Sequence, residues 1–217
     1  MVKSLLLLAG LASLPTLTFA QSAADTPGFY LGLGTSILTS KPFRQRDADA
    51  LVGPALTAGI PLSPHVAVEL SMAYAWRNTH SAYSYFDYGT SRPAVNSTDK
   101  KLQVYTFPLL VRATLSPPAS RVHADLLGGV MYLRSTSYAQ YTATAGGVVV
   151  RQDADQYATN RLNLTLGPAL RFALTPRWEV AADALVNYYF ADGGNASFSD
   201  HLFLNARGGV HYTFPSR

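Results

Sequence analysis

Between Arg161 and Leu174 every second residue is apolar. Leu162, Leu164, Leu166, Pro168, Leu170, Phe172 and Leu174 share one face, while Arg161, Asn163, Thr165, Gly167, Ala169, Arg171 and Ala173 share the other. A period of two is that of a β-strand, whose successive side chains point to opposite faces. The same alternation recurs along the chain and places eight strands, near 28–38, 53–62, 66–77, 101–115, 122–134, 161–174, 178–190 and 201–214. Within the fourth, Pro108 has no amide proton to donate, which predicts a bulge or a local break in pairing.

The connections carry a second, independent signal. Ser63-Pro64-His65, Ser116-Pro117-Pro118-Ala119-Ser120 and Thr175-Pro176-Arg177 read as tight turns, whereas the segments near 39–52, 78–100, 135–160 and 191–200 are long and polar. Strictly alternating short and long connections suit an up-and-down barrel with short periplasmic turns and long extracellular loops. Around Tyr138 to Val150 a hairpin is expected to protrude, with Ala145-Gly146-Gly147 at its turn.

The N-terminus reads as an export signal: Lys3, then an apolar run from Leu5 to Phe19, then Thr18-Phe19-Ala20 with small residues where a signal peptidase cuts. Residues 1–20 are therefore expected to be cleaved and 21–217 to form one barrel domain. The run is shorter than the ~20 residues an uncleaved helical anchor needs, and no later segment is long and apolar enough to be one. The chain has no cysteine, so a disulfide framework, a thiolate metal site and a cysteine nucleophile are excluded. Its net charge of +4 is scattered without a basic run, which argues against nucleic acid as a partner.

The basic and acidic residues are unevenly chosen, with 13 Arg against 4 Lys and 11 Asp against 2 Glu. A soluble sheet covers its outer face with Lys and Glu, and this chain has almost none to place there. Trp76, Trp178, Tyr132, Tyr188, Phe190, Tyr212 and Phe214 fall near strand ends, where an outward ring would meet both membrane interfaces. The reading is an all-β fold: an eight-stranded antiparallel up-and-down transmembrane β-barrel in the bacterial outer membrane. The competing reading is a soluble periplasmic barrel, lipocalin-like, whose apolar face points inward.

The segment Leu102-Gln-Val-Tyr-Thr-Phe-Pro-Leu-Leu-Val-Arg112 and the closing Gly208-Gly-Val-His-Tyr-Thr-Phe214 resemble the small outer-membrane β-barrels of the porin-like family, similar in design to OmpA and OmpX and especially to versions common in Bacteroidetes. The resemblance spans the whole mature chain through short motifs. It implies outer-membrane lipids and the barrel-assembly machinery as partners. One departure is the tail Pro215-Ser216-Arg217, which follows Phe214 where such barrels end on an aromatic residue.

An eight-stranded barrel is just wide enough to be filled by its own side chains. The inward face is expected to hold a polar network of Glu69, Arg112, His123, Asp125, Arg161, Arg171, Glu179, Asp183 and Arg207, with Arg77, Asn187 and His211 on the same face. Arg171 should reach Glu179 diagonally across the turn at Pro176, with Asp183 one layer further up. Buried ions must be paired, so these charges are expected to neutralise one another.

Function is then expected outside the bore, as a structural or surface-interaction role without catalysis, with narrow permeation and lipid processing as alternatives. Tyr83, Tyr85, Phe86 and Tyr88 concentrate aromatics in the second long loop, where an extracellular ligand could be met. No cofactor is implied, and Asp153-Ala-Asp155 offers two carboxylates where a calcium site takes six to eight oxygens. Lipid A deacylases carry a His with a Ser two positions later on a lipid-facing strand; here His211-Tyr-Thr213 has a Thr, and His80-Ser81 lies in a loop. His123-Ala-Asp125 supplies a base and a carboxylate without an evident nucleophile.

Overall fold

The computed structural model describes residues 28–40, 50–87, 92–190 and 201–215; the expected signal segment 1–20 lies outside them. Among the described residues, eight strands follow one another around a closed antiparallel barrel: β1 (Phe29–Ser40), β2 (Ala50–Ser63), β3 (Val66–Asp87), β4 (Arg92–Thr114), β5 (Val122–Ala145), β6 (Val148–Ala173), β7 (Trp178–Tyr189) and β8 (Leu202–Phe214). Closure is made by β1 against β8, from Phe29 opposite Phe214 to Ser40 opposite Phe203. A closed ladder leaves no open edge in the wall, as a bilayer requires of any β-structure that spans it.

The orientation of the apolar face decides between the two readings. Leu164 and Leu166 are 51% and 56% exposed, while Asn163 and Thr165 between and beside them are 0% and 1% exposed. The apolar face therefore points outward and the polar face inward, the reverse of a soluble barrel. Aromatic residues border this apolar band at both ends. Phe29 stacks on Phe214 at 4.5 Å and Trp178 meets Tyr212 edge-on at 4.9 Å near the turns. Tyr74, Trp76 and Tyr105 pack together, as do Tyr188 and Phe190, at the opposite end. Trp178 and Tyr188 lie about ten residues apart on β7. At ~3.3 Å per residue and a tilt near 40° the band is about 25 Å tall, the height of an outer-membrane apolar belt.

Pro108 breaks pairing on one side only. The β3–β4 ladder runs from Val66 to Leu70 opposite Ala113 to Leu109 and resumes at Ala73 opposite Thr106, in unchanged register, whereas Pro108 stays opposite Met131 on β5. The outcome is a local gap without a bulge.

Four strands are much longer than the alternation indicates. β3 to β6 hold 22, 23, 24 and 26 residues, against 12 to 14 for the other four. The segments 78–87, 92–100, 135–145 and 148–160 lie in the long connections, where only a hairpin around Tyr138 to Val150 was expected; all four continue these strands, so that half of the wall rises above the mouth as a four-stranded sheet. Its β5–β6 hairpin turns at Gly146 and Gly147, with φ of 58° and 81°. A two-residue turn with both central φ positive matches the right-handed twist of the flanking strands, and glycine takes it without steric cost. This is the hairpin expected from Ala145-Gly146-Gly147.

Candidate functional site

The turn-proximal half of the bore is filled by one chain of alternating charges. Asp183 receives the Arg207 guanidinium through both oxygens, at 2.8 to 3.0 Å. Arg207 also donates to Glu69 at 3.0 Å and to Ser71 at 2.6 Å. Glu69, 1% exposed, accepts in addition from Arg112 and, at 3.1 Å, from the Tyr30 hydroxyl. The Arg112 Nε lies 3.9 Å from Asp125, which accepts two hydrogen bonds from Arg171 at 2.6 and 3.1 Å. Arg171 ends the chain by donating to Glu179 at 3.1 Å. Glu179 is the least buried carboxylate of this chain, its side chain 21% exposed.

Local sequence explains the seating. Arg171 stands opposite Ala181, and Ala173 opposite Glu179, so the Arg171–Glu179 bond is diagonal. Asp183 stands opposite Arg207 on β8 and is bonded to it, rather than to Arg171. Tyr30 lies over Gly59: a Cβ there would sit 2.0 Å from the tyrosine ring, so the side chain that crowns Glu69 needs a glycine beneath it.

Two of the expected members stand apart from this chain. His123 is buried on the same face, but its Nδ1 contacts the Ser116 hydroxyl at 3.2 Å. Arg161 is a correction to the expected network. It points to the correct face but lies beyond the plugged part of the bore, exposed at the mouth with its guanidinium 4.4 Å above the Tyr189 ring. Position along the strand separates it from the buried ions, and alternation carries no information about that.

Above the ions the bore changes character. Ser36 donates to Asn205 at 2.8 Å and Thr165 to Asn187 at 2.7 Å, forming neutral polar pairs. Nearer the mouth, Leu38, Leu51, Ala75, Val104, Met131 and Leu133 close an apolar cap. A second apolar cluster, Leu110, Leu127, Ala169 and Leu185, packs on the inner wall. Sequence reasoning missed both clusters: alternation puts Leu185 and Phe203 on the inner face, but it does not show which inward residues of distant strands meet.

With an apolar outer band, a filled bore and short turns at one end, the whole pattern from the N-terminal region to Phe214 matches the family described as the outer membrane protein beta-barrel domain, over residues 4–214. This chain belongs to that family. No curated protein sequence matches it. Among solved structures, the attachment invasion locus protein Ail of Yersinia pestis is similar at a TM-score of 0.50 and 14% identity, covering 87% of this chain and 99% of that one. Neisserial surface protein A gives 0.48 and 16%, with 86% and 97% covered; OprG of Pseudomonas aeruginosa gives 0.48 and 14%, with 88% and 98% covered. At such identities the likeness to Ail gives the fold, an outer-membrane barrel of eight strands.

The surface candidates of this outer-membrane barrel sit on the protruding sheet. Tyr83 and Tyr85 are neighbours on one face, rings 6.0 Å apart and exposed, and the Tyr83 hydroxyl accepts from Asn96 at 2.8 Å. Phe86, also exposed, falls on the opposite face by alternation, so the aromatic run is divided between two faces. Tyr88 lies outside the described residues. Tyr141, which the sequence reading left out, joins Tyr83, Asn96 and Thr98 along one groove of about 680 Å³. Only cross-strand register brings Tyr141 there, through its place opposite Thr98. Asp153, at the same groove, accepts from Arg151 at 2.5 Å.

Ser116 is the hydroxyl that His123-Ala-Asp125 lacked in the sequence. Its oxygen, however, accepts the Ala124 amide at 3.3 Å in the short β4–β5 turn, and Asp125 is committed to Arg171. A hydrolytic triad needs its carboxylate on the histidine; here the serine caps a turn and the carboxylate neutralises an arginine.

Proposed function

We propose that the protein is a non-catalytic outer-membrane barrel that acts at the cell surface, with the raised sheet of β3 to β6 as its contact surface for an extracellular ligand. Residues 1–20 direct export and are removed, the assembly machinery inserts the barrel, and outer-membrane lipids cover its apolar band. The observation that carries this reading is the sheet itself. Ten or so residues of each of four strands continue past the membrane-spanning wall, which at ~3.3 Å per residue is about 30 Å of ordered structure. Neither spanning the membrane nor closing the bore requires that investment. Its groove presents Tyr83 and Tyr141, with Tyr85 exposed beside Tyr83, and tyrosines combine a rigid apolar body with a polar tip, the composition of effective contact surfaces.

Permeation is the weaker reading because ions and the apolar cap occupy the bore. Catalysis is weaker still, since the Ser116–His123 pair has no carboxylate orienting the ring. The test is adhesion of cells displaying the barrel to immobilised matrix proteins and glycans. Replacing Tyr83, Tyr85 and Tyr141 together by serine should reduce adhesion at least tenfold at equal surface display. Undiminished adhesion would sink the proposal.

A further inference from the structure

The groove of about 680 Å³ lies on the bore-facing side of the raised sheet. Tyr83 stands on β3 at the same alternation as the buried Glu69 and Ser71, and cross-strand register carries that face across the sheet in adjacent rows. The upper row places Tyr83 opposite Asn96, and the lower row places Tyr141 between Thr98 and Asp153. Two strand spacings, about 10 Å, therefore separate the tyrosines, with the shorter Asn96 and Thr98 on the strand between them. Asn96 donates to the Tyr83 hydroxyl at 2.8 Å, which holds that ring, and Arg151 donates to Asp153 at 2.5 Å. The Asp155 carboxylate, next along the same face of β6, is exposed and bonded to no other described residue.

β4 and β5 are paired on both sides at this level, so the face offers a ligand its side chains and no strand edge. The described lining is aromatic, hydroxyl, amide and carboxylate, and its aliphatic members are alanines. The large apolar anchors of a protein partner would find no apolar pocket there. A pyranose ring matches it better. Its C–H face packs on the electron-rich face of an aromatic ring, and its hydroxyls donate to carboxylates in charge-assisted bonds. A sulfated or carboxylated sugar would instead meet Asp153 and Asp155, with the Arg151 guanidinium already bonded to Asp153. The opposite face of the sheet continues the lipid-facing wall, so the sugars of neighbouring lipids stand beside that face and the groove is turned away from them.

We infer that this groove binds an uncharged saccharide presented from outside the cell, its pyranose rings packed on Tyr83 and Tyr141 and its hydroxyls held by Asp153, Asp155 and Asn96. The inference names the ligand class of the contact surface proposed above and rests on that reading. The volume lies within the range of small-molecule sites.

The experiment is saturation-transfer NMR on the full-length protein in zwitterionic lipid nanodiscs, with empty nanodiscs as the reference. The probes are neutral tetrasaccharides of α-linked glucose, β-linked glucose, mannose, N-acetylglucosamine and alternating galactose and N-acetylglucosamine, with a heparin tetrasaccharide as the anionic counterpart. Saturable transfer to the ring C–H protons of at least one neutral probe is expected, with the heparin fragment about tenfold weaker or absent. Tyr141→Leu should weaken that probe about tenfold or more, while Tyr141→Phe keeps it within about threefold, because the aromatic face makes the contact. Asp155→Ala should weaken it about fivefold or more. The inference is overturned if no neutral probe gives saturable transfer, if the heparin fragment binds as tightly as the best neutral probe, or if Tyr141→Leu binds like the parent. Displacement of the probe by lipopolysaccharide purified from the same cells would overturn the assignment to an external sugar. Adhesion that falls in the tyrosine variants while no neutral probe binds would leave the contact surface standing and remove the saccharide; probe binding without adhesion would keep the site and remove the adhesive role. Heat-modifiable migration of each variant establishes that it is folded.

Discussion

At the scale of single residues, Glu69 is the hinge of the buried charges, because it alone receives two guanidiniums and a phenol. Removing its charge leaves Arg112 and Arg207, both buried, each short of a partner. Breaking a buried pair costs about 3–5 kcal/mol, so Glu69→Gln should lower unfolding stability in lipid vesicles by roughly that much. Glu179→Gln, at the more solvated end of the same chain, should cost about 1 kcal/mol or less. Equal losses in urea titrations of the two variants would mean that the ions act independently of depth. The faces of Glu69, Arg112, Asp125, Arg171, Asp183 and Arg207 follow from alternation alone. Their pairing follows from register, which the sequence expresses only around the short turn at Pro176, where the Arg171–Glu179 diagonal could be drawn in advance.

Among the elements, β6 shows where sequence patterns carry structure and where they stop. From Arg161 to Leu174 the strand separates lipid from a polar bore, and the contrast between its two environments writes itself as alternation. From Val148 to Asn160 it lies above the membrane with neither face in lipid. Arg151, Gln152, Asp153, Asp155 and Gln156 follow one another with no period, and the segment reads as loop. Its only legible mark is the pair of glycines at the hairpin turn. In β4 the obstacle is the opposite: Phe107-Pro108-Leu109-Leu110-Val111 is apolar on both faces, so the inward Leu110 and the apolar clusters it announces were hidden. The assignment of faces makes a direct prediction. Leu166→Arg, in the middle of the lipid-facing row, should cost about 2–4 kcal/mol, measured by unfolding in vesicles. A neutral Leu166→Arg would place that row out of contact with lipid.

For the whole molecule, three zones are stacked along one axis: a lipid-embedded barrel sealed by ions and an apolar cap, a vestibule above the cap lined by Leu38, Leu51, Val104 and Leu133, and a raised half-wall of four strands. Architecture was legible because the strand count, the turn and loop alternation and the outward apolar face all express one closed sheet. The vestibule and the tyrosine groove were not, since each is assembled from strands far apart in sequence. A bore filled in this way should pass no steady current, and planar-bilayer recordings of the purified protein should show none; stable channel steps would require the cap to open. The central claim is a closed barrel in the outer membrane with its apolar face on the lipid, and migration on a detergent gel tests it most directly, using protein from purified outer membranes with and without boiling. A closed ladder of backbone hydrogen bonds resists the detergent until heated, so the unboiled sample should run as a separate, compact band. A single band unchanged by boiling, recovered from the soluble periplasmic fraction, would contradict it.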